Sequence, residues 1–224
     1  MSAQYDGPTI VRADDVAPQP WKNGGGVTRE LLRLPLLQQA AGGAAEDWLL
    51  RISVADIEAD GPFSAFPGVT RWFAVLEGAG VRLSWPDGRP DRFMTSSAPP
   101  LRFDGADAPG CALLAGRTRD LNVMVRGDAG HASLGPIGFD EENWLGRAAA
   151  FGVFTLRAAS LHGAAARPLE LPARTLAWCA ADKSATRMWW LEEPLANADA
   201  RAQTIVVDAV AYAINLHSPA APAR

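Results

Sequence analysis

Glycine and proline punctuate the chain closely as far as Pro172. It carries 21 glycines and 17 prolines among 224 residues. Most stretches between them are short, and helical periodicity is poor throughout, with a weak trace only near Asp140–Arg147. Several stretches instead alternate apolar and polar residues: Val27–Leu34, Trp48–Ile57, Arg71–Glu77, Gly80–Trp85 and Leu121–Arg126. Alternation with a period of two, bounded by turn residues, predicts antiparallel strands of a sandwich or barrel. Turn signals stand at Glu77-Gly78, Pro86-Asp87-Gly88 and Asp104-Gly105. Further short apolar runs at Ala150–Arg157, Thr175–Ala180, Arg187–Leu191, Thr204–Val207 and Ala211–Leu216 predict that the second half is mostly β as well. The Ala/Gln/Gly-rich stretch Leu36–Asp47 predicts a loop or short helical excursion between two strands. The fold expected is all-β with little helix: two barrels or sandwiches, residues 8–126 and 127–224, packed as one unit.

Charge narrows the partners. The net charge is −4 and the isoelectric point about 5.4, which argues against broad binding to nucleic acid or anionic membranes. No apolar run approaches the roughly 20 residues of a membrane-spanning helix. Met1–Val11 lacks a basic region followed by an apolar stretch, so no signal peptide is expected. Cys111 and Cys179 lie far apart among apolar or small neighbours and read as buried core residues, not as a disulfide or metal pair. A cytoplasmic location fits these features.

The sequence Trp21-Lys22-Asn23-Gly24-Gly25-Gly26 raises the idea of a phosphate loop. That loop needs a strand, then glycines, then Lys-Ser/Thr opening a helix. Here Lys22 precedes the glycines and a strand follows them. The Gly-x-Gly-x-x-Gly dinucleotide fingerprint is absent too. A tight bend accounts for the glycines, because positive backbone angles cost glycine little. It leaves the flanking polar residues unexplained.

Those residues sit on strands whose faces can be separated by parity. Thr28, Glu30 and Leu32 share one face; Arg29, Leu31 and Arg33 share the other. Leu49, Arg51, Ser53 and Ala55 oppose the apolar Trp48, Leu50, Ile52 and Val54. Asp120, Asn122, Met124 and Arg126 oppose Leu121, Val123 and Val125. Mixed faces of this kind serve either as solvent-facing surfaces or as the lining of a barrel cavity. Polar and aromatic residues crowded beside tight turns at Asp60–Gly78 and Gly116–Arg126 favour the cavity.

Three ordered blocks carry a family resemblance: "PWKNGGGVTREL" (Pro20–Leu31), "RISVADIEADGPFSAFPGVTRWFAVLEG" (Arg51–Gly78) and "RDLNVMVR" (Arg119–Arg126). Together they resemble the HutD/Ves family of cupin-like proteins, over roughly residues 18–126. The resemblance implies a cupin-type double barrel, a bicupin. It also implies a role tied to histidine utilisation, as a governor of that pathway, or a stress-response role on the Ves-like branch.

Metal-dependent cupins use a His-x-His pair with a carboxylate and a further histidine. The three histidines here, His131, His162 and His217, form no such pair and lie outside the motif blocks, so no metal and no cofactor are expected. The expected ligand is a small carboxylate metabolite such as formylglutamate or urocanate. Its candidate contacts are Lys22, Arg29, Arg51 and Arg71 for charge, and Asn23, Thr28, Ser53, Ser64 and Asn122 for orientation. Trp21, Phe63 and Phe66 would form walls. Parity forbids Arg29 and Glu30 from both pointing inward, and Arg51 is the strongest single candidate. Each arginine has an alternative, an ion pair with Glu30, Asp60 or Asp120 that fixes a loop. Two functions remain open. One is a catalytically silent, metabolite-binding regulator of histidine utilisation. The other is a metal-independent, isomerase-like enzyme with Glu30 or Asp120 as general base. Self-association into a homodimer also stays open.

Overall fold

The computed structural model describes residues 8–35, 48–127, 130–138, 143–144, 150–180, 188–193 and 211–217. The strands in chain order are β1 (Thr9–Arg12), β2 (Gln19–Pro20), β3 (Gly26–Pro35), β4 (Trp48–Ile57), β5 (Gly61–Pro62), β6 (Val69–Glu77), β7 (Val81–Ser84), β8 (Arg92–Met94), β9 (Leu101–Asp104) and β10 (Gly110–Leu113). They continue as β11 (Thr118–Arg126), β12 (His131–Ile137), β13 (Asn143–Trp144), β14 (Ala150–Thr155), β15 (Ala159–His162), β16 (Leu169–Leu171), β17 (Thr175–Ala180), β18 (Met188–Glu192) and β19 (Ala211–His217). The helices among the described residues are two single 3-10 turns, Ala13–Asp15 and Gly105–Asp107. The all-β expectation holds, and the alternating runs became strands because every second side chain found an interior to fill. Within Asp140–Arg147, Asn143–Trp144 is strand; the rest of that run, Leu36–Asp47 and Thr204–Val207 lie outside the described residues. No described helix is long and apolar enough to cross a membrane.

The chain divides into two compact units. One spans Val16–Ala132. Its six-stranded sheet, β2-β3-β4-β11-β6-β9, and its four-stranded sheet, β5-β10-β7-β8, are antiparallel. Ile57, Phe73, Val75 and Phe103 from the larger sheet pack with Val81, Leu83, Met94 and Cys111 from the smaller, beside Trp85. This apolar core closes one end of the space between the sheets. The faces of β4 and β11 that carry Leu50, Ile52, Val54, Leu121, Val123 and Val125 are buried as well. Cys111 and Cys179 are both buried, as expected of core residues.

The second unit joins the residues up to Asp15 to Ser133–His217. Its sheets are β1-β17-β14-β19-β12 and β13-β18-β15-β16, around a core that includes Phe151, Leu161, Leu191 and Trp189. The boundary differs here from a plain division at residue 126. Thr9–Arg12 pair antiparallel with Thr175–Trp178, the Ala13 amide donates to the Arg174 carbonyl at 2.8 Å, and Arg174 bridges Asp14 at 2.7 Å. The first strand thus completes a sheet built from residues far along the chain, a pairing that no local pattern encodes.

Candidate ligand-binding site

The bend that opens β3 uses its three glycines for three different purposes. The Gly24 amide donates to the Trp21 carbonyl at 3.0 Å, closing the turn, with φ at +70°, where a side chain is strained. The Gly25 amide donates to Asn23 Oδ1 at 3.1 Å. Gly26 begins the strand where there is no room: a Cβ there would stand 2.2 Å from the Asp56 carbonyl oxygen and 3.2 Å from the Trp21 ring. Gly26→Ala is therefore expected to destabilise the protein by about 1–3 kcal/mol, since overpacking forces the backbone apart. Gly25→Ala, whose Cβ would meet only Asn23 at 3.4 Å, should cost clearly less. Denaturant midpoints of the two variants check this.

The bend also delivers Trp21, Lys22 and Asn23 to the rim of a cavity of about 730 Å³. Trp21 is held there by its indole N–H, which donates to Thr28 Oγ1 at 2.7 Å. With those three, the expected residues Thr28, Arg51, Ser53, Phe63, Ser64, Phe66, Arg71 and Asn122 line this one cavity. Parity explains the convergence. In the ladder Asn122 faces Ser53 on one side and Phe73 on the other, and Glu30 faces Ser53 in turn. The inward-pointing positions of β3, β4 and β11 therefore form one wall.

Arg29 is not among them. Its Nη1 donates to Asp56 Oδ2 at 2.8 Å on the opposite face of the sheet. There Arg119 holds the same carboxylate through two bonds of 2.7 and 3.2 Å, and Arg117 approaches to 3.4 Å. Burial pushes the Asp56 carboxyl up, but the hydrogen bonds from Arg119 and Arg29 outweigh it and leave the pKa below the usual range. Arg29 is the structural member of the Arg29–Glu30 pair in the sense that it leaves the cavity. Glu30 is engaged by Arg33 at 2.8 Å and Arg51 at 2.9 Å. Burial raises its pKa less than these hydrogen bonds and charges lower it.

The structure adds Arg33, Trp48, Asp120, Met124 and Arg126 to the lining. Asp120, Met124 and Arg126 share the parity of Asn122, so the sequence signal was present for all three. Arg33 and Trp48 have the wrong parity, and two irregularities explain them. Glu30 pairs with Ser53 and Leu32 with Ile52, so Leu31 is an extra residue. A bulge there reverses the facing of the residues after it and turns Arg33 toward Arg51. A second shift between Leu34 and Pro35 leaves Leu49 unpaired and brings Trp48 to the cavity, where Arg51 and Arg126 stand 5.5 and 5.9 Å from its ring centre.

The deep end of the cavity is a chain of three buried polar side chains. Arg71 is 6% exposed, Asn122 7% and Asp120 1%. Arg71 Nη2 donates to Asn122 Oδ1 at 2.6 Å, and Asn122 Nδ2 donates to Asp120 Oδ1. The guanidinium is surrounded by Phe63, Phe103 and Phe66, with ring centres 4.7, 5.3 and 6.0 Å from Cζ. Its Nε has no protein partner. Burial pulls the Arg71 pKa down to about 10, opposed by the attraction of Asp120, so the group stays cationic at neutral pH. Burial pushes the Asp120 carboxyl up to about 8, against the attraction of Arg71.

The lining contains no histidine or cysteine and a single carboxylate, Asp120. That donor set does not fit a transition metal. His162 lies in the other unit, stacked on Trp190 at 5.1 Å and 3.3 Å from Glu192. Among the described residues no group of three or more His, Cys, Asp or Glu is placed to hold a metal ion.

Comparisons with known proteins agree with this architecture. The chain is 40% identical over 120 residues to an uncharacterised 21.2 kDa protein in the hutC 3′ region of Pseudomonas putida, covering 51% of this chain and 56% of that one. It is 35% identical over 109 residues to protein Ves of Citrobacter koseri, covering 48% and 52%. The matches thus span about half the length of these curated relatives. Among solved structures, HutD from Pseudomonas fluorescens SBW25 superposes with a TM-score of 0.75 at 25% identity, covering 95% of this chain and all of that one. A bacterial pirin from Escherichia coli, solved in complex with nickel(II), shares the cupin-type fold alone, with a TM-score of 0.51 at 10% identity over 95% of this chain and 100% of that one. The profile of the HutD family matches residues 13–192, most of the chain. The chain belongs to the HutD family.

Proposed function

We propose that the chain is a metal-free, cytoplasmic regulator of histidine utilisation that binds a small carboxylate metabolite, such as formylglutamate or urocanate, in this cavity. The observation that carries the reading is charge. Lys22, Arg33, Arg51, Arg71 and Arg126 line the cavity with Asp120 as the one lining carboxylate, and Glu30 engages only Arg33 and Arg51 of these. The protein as a whole is acidic, with net charge −4, so the concentration of cations in one concavity is local. Guanidinium groups over aromatic rings in a partly desolvated cleft suit a small planar carboxylate. The names of the relatives, HutD and a protein of the hutC region, are consistent with a role connected to histidine utilisation.

The enzymatic alternative rests on Asp120, whose pKa of about 8 suits acid–base work near neutral pH. Glu30 is the weaker candidate base, since Arg33 and Arg51 engage its carboxylate. Calorimetric titration of the purified protein with formylglutamate and with urocanate, beside an assay for loss of each compound, separates the readings. Saturable heat without consumption is expected. Consumption of either compound would move the chain to the enzymatic reading, and no heat with either would remove the ligand class.

A further inference from the structure

We propose that Arg71, Asn122 and Asp120 form a proton-coupled carboxylate subsite, in which Arg71 supplies the charge and Asp120, as a neutral acid, donates its proton to one ligand oxygen. This rests on reading the cavity as a carboxylate site, and it identifies which residue sets the preference for a singly charged group at the deep end.

The hydrogen-bond chain fixes the arrangement. A guanidinium only donates, so Asn122 must turn its oxygen to Arg71 and its amide N–H to Asp120 Oδ1. The orientation of the amide is thereby decided. Oδ1 of Asp120 accepts, which leaves Oδ2 for a proton. The amide also stands between the two charged groups. Among the described residues Asp120 makes no ion pair, although it is 1% exposed. A carboxylate buried to that degree without a paired cation is held more cheaply as the acid. Arg71, for its part, keeps a buried positive charge with one neutral hydrogen-bond partner. An incoming carboxylate cures both deficits: its negative charge meets Arg71, and one of its oxygens accepts from Asp120 Oδ2–H. An O–H donor to an oxyanion makes a short, strong bond.

The charged and titratable groups around Asp120 are few. Arg71 faces it from β6 and Asp56 acts on it from β4. Cys111 interacts with it from β10, and Arg51 of β4 acts on Arg71. Arg71 titrates near 10 and the Cys111 thiol near 12, while Asp56 is already ionised. Asp120, near 8, is therefore the group of this cluster that titrates between pH 7 and 9. Once it ionises, a ligand must take up one proton from solution to restore the acid, and affinity falls by up to tenfold per pH unit.

The test uses formylglutamate, whose carboxylates stay ionised across this range. Wild-type affinity is expected to fall about tenfold between pH 7 and pH 9. Calorimetry at pH 9 in buffers of different ionisation enthalpy should show uptake of close to one proton per ligand. In Asp120→Asn the amide N–H replaces the acid O–H as a weaker donor. It should bind several-fold more weakly at pH 7, yet with a flat pH profile and no proton uptake. A variant profile as steep as wild type overturns the inference and leaves the carboxylate reading intact. No heat from wild type at any pH overturns both. Infrared spectra of the ligand-free wild type give a second readout that needs no variant to fold. A protonated carboxyl band present at pH 7 and bleached by pH 9 supports the acid form, and its absence at pH 7 rejects it.

Discussion

Arg71→Met is expected to weaken carboxylate binding by about 30-fold or more while the fold stays intact. Arg71 is the most desolvated cation of the cavity, at 6% exposure. Truncating one partner of a desolvated charge pair costs on the order of 2–5 kcal/mol, and the lower figure corresponds to about 30-fold. Methionine occupies a similar volume among Phe63, Phe66 and Phe103, so the aromatic cage keeps its filling. The melting temperature should hold or rise, because a buried cation without a paired anion is itself a burden on the folded state. Arg51 supplies the contrast. It is the candidate that strand parity favours, but its Nε is engaged by Glu30 at 2.9 Å and its side chain is 20% exposed. A half-neutralised, wetter arginine contributes less, so Arg51→Ala should lose only a few-fold. Calorimetry of both variants with formylglutamate, beside thermal melts, orders them. Wild-type affinity in folded Arg71→Met would show that the deep end of the cavity is not the anion site.

Asp56→Asn is expected to destabilise the fold by about 3 kcal/mol, although Asp56 is not part of the cavity lining. The carboxylate is 2% exposed and is shared by Arg29, Arg119 and Arg117. Removing its charge takes away the anion that Arg29, Arg119 and Arg117 share. Breaking a buried pair from one side costs about 3–5 kcal/mol, and the low end applies because Arg117 is half exposed. The pH dependence comes from the direction of the shift. The folded-state pKa of Asp56 lies below its usual value, so the stabilisation is present in full above about pH 4. It is lost as pH falls through the lowered folded value. Urea titrations between neutral and acid pH should show a steeper loss for wild type than for Asp56→Asn. Equal slopes would mean that other carboxylates carry the acid sensitivity.

Both sides of the sheet were visible in the strand alternation, though not with equal detail. Arg51 could be placed beside Ser53, and Asn122 beside Met124, because a pleated strand sends alternate side chains to opposite faces, and that rule needs only the local chain. The same rule placed Asp120 and Arg126 beside Asn122. It failed for Arg33 and Trp48. The extra residues at Leu31 and Leu49 reverse the phase, and a bulge is a property of two paired strands rather than of either sequence. It also left Arg29 ambiguous, since its destination is set by Asp56, 27 residues away.

The sequence by itself determined the class of structure and the chemistry brought to it. Alternation and turn residues are local properties, and they specify short antiparallel strands wherever a partner is found. The glycine run could be seen to form a bend, and the cation-rich blocks could be seen to suit an anion. The tertiary structure alone decided which of those cations remain available. Glu30 engages Arg33 and Arg51, Asp56 takes Arg29, and Asn122 comes between Arg71 and Asp120. It also decided the burial that pushes the Asp120 carboxyl up, and the pairing of Thr9–Arg12 with residues more than 160 positions later. These outcomes depend on distance and burial in three dimensions. Coulomb energy and desolvation change several-fold between a wet surface and a dry interior, and strand periodicity carries no record of which of the two a carboxylate will meet.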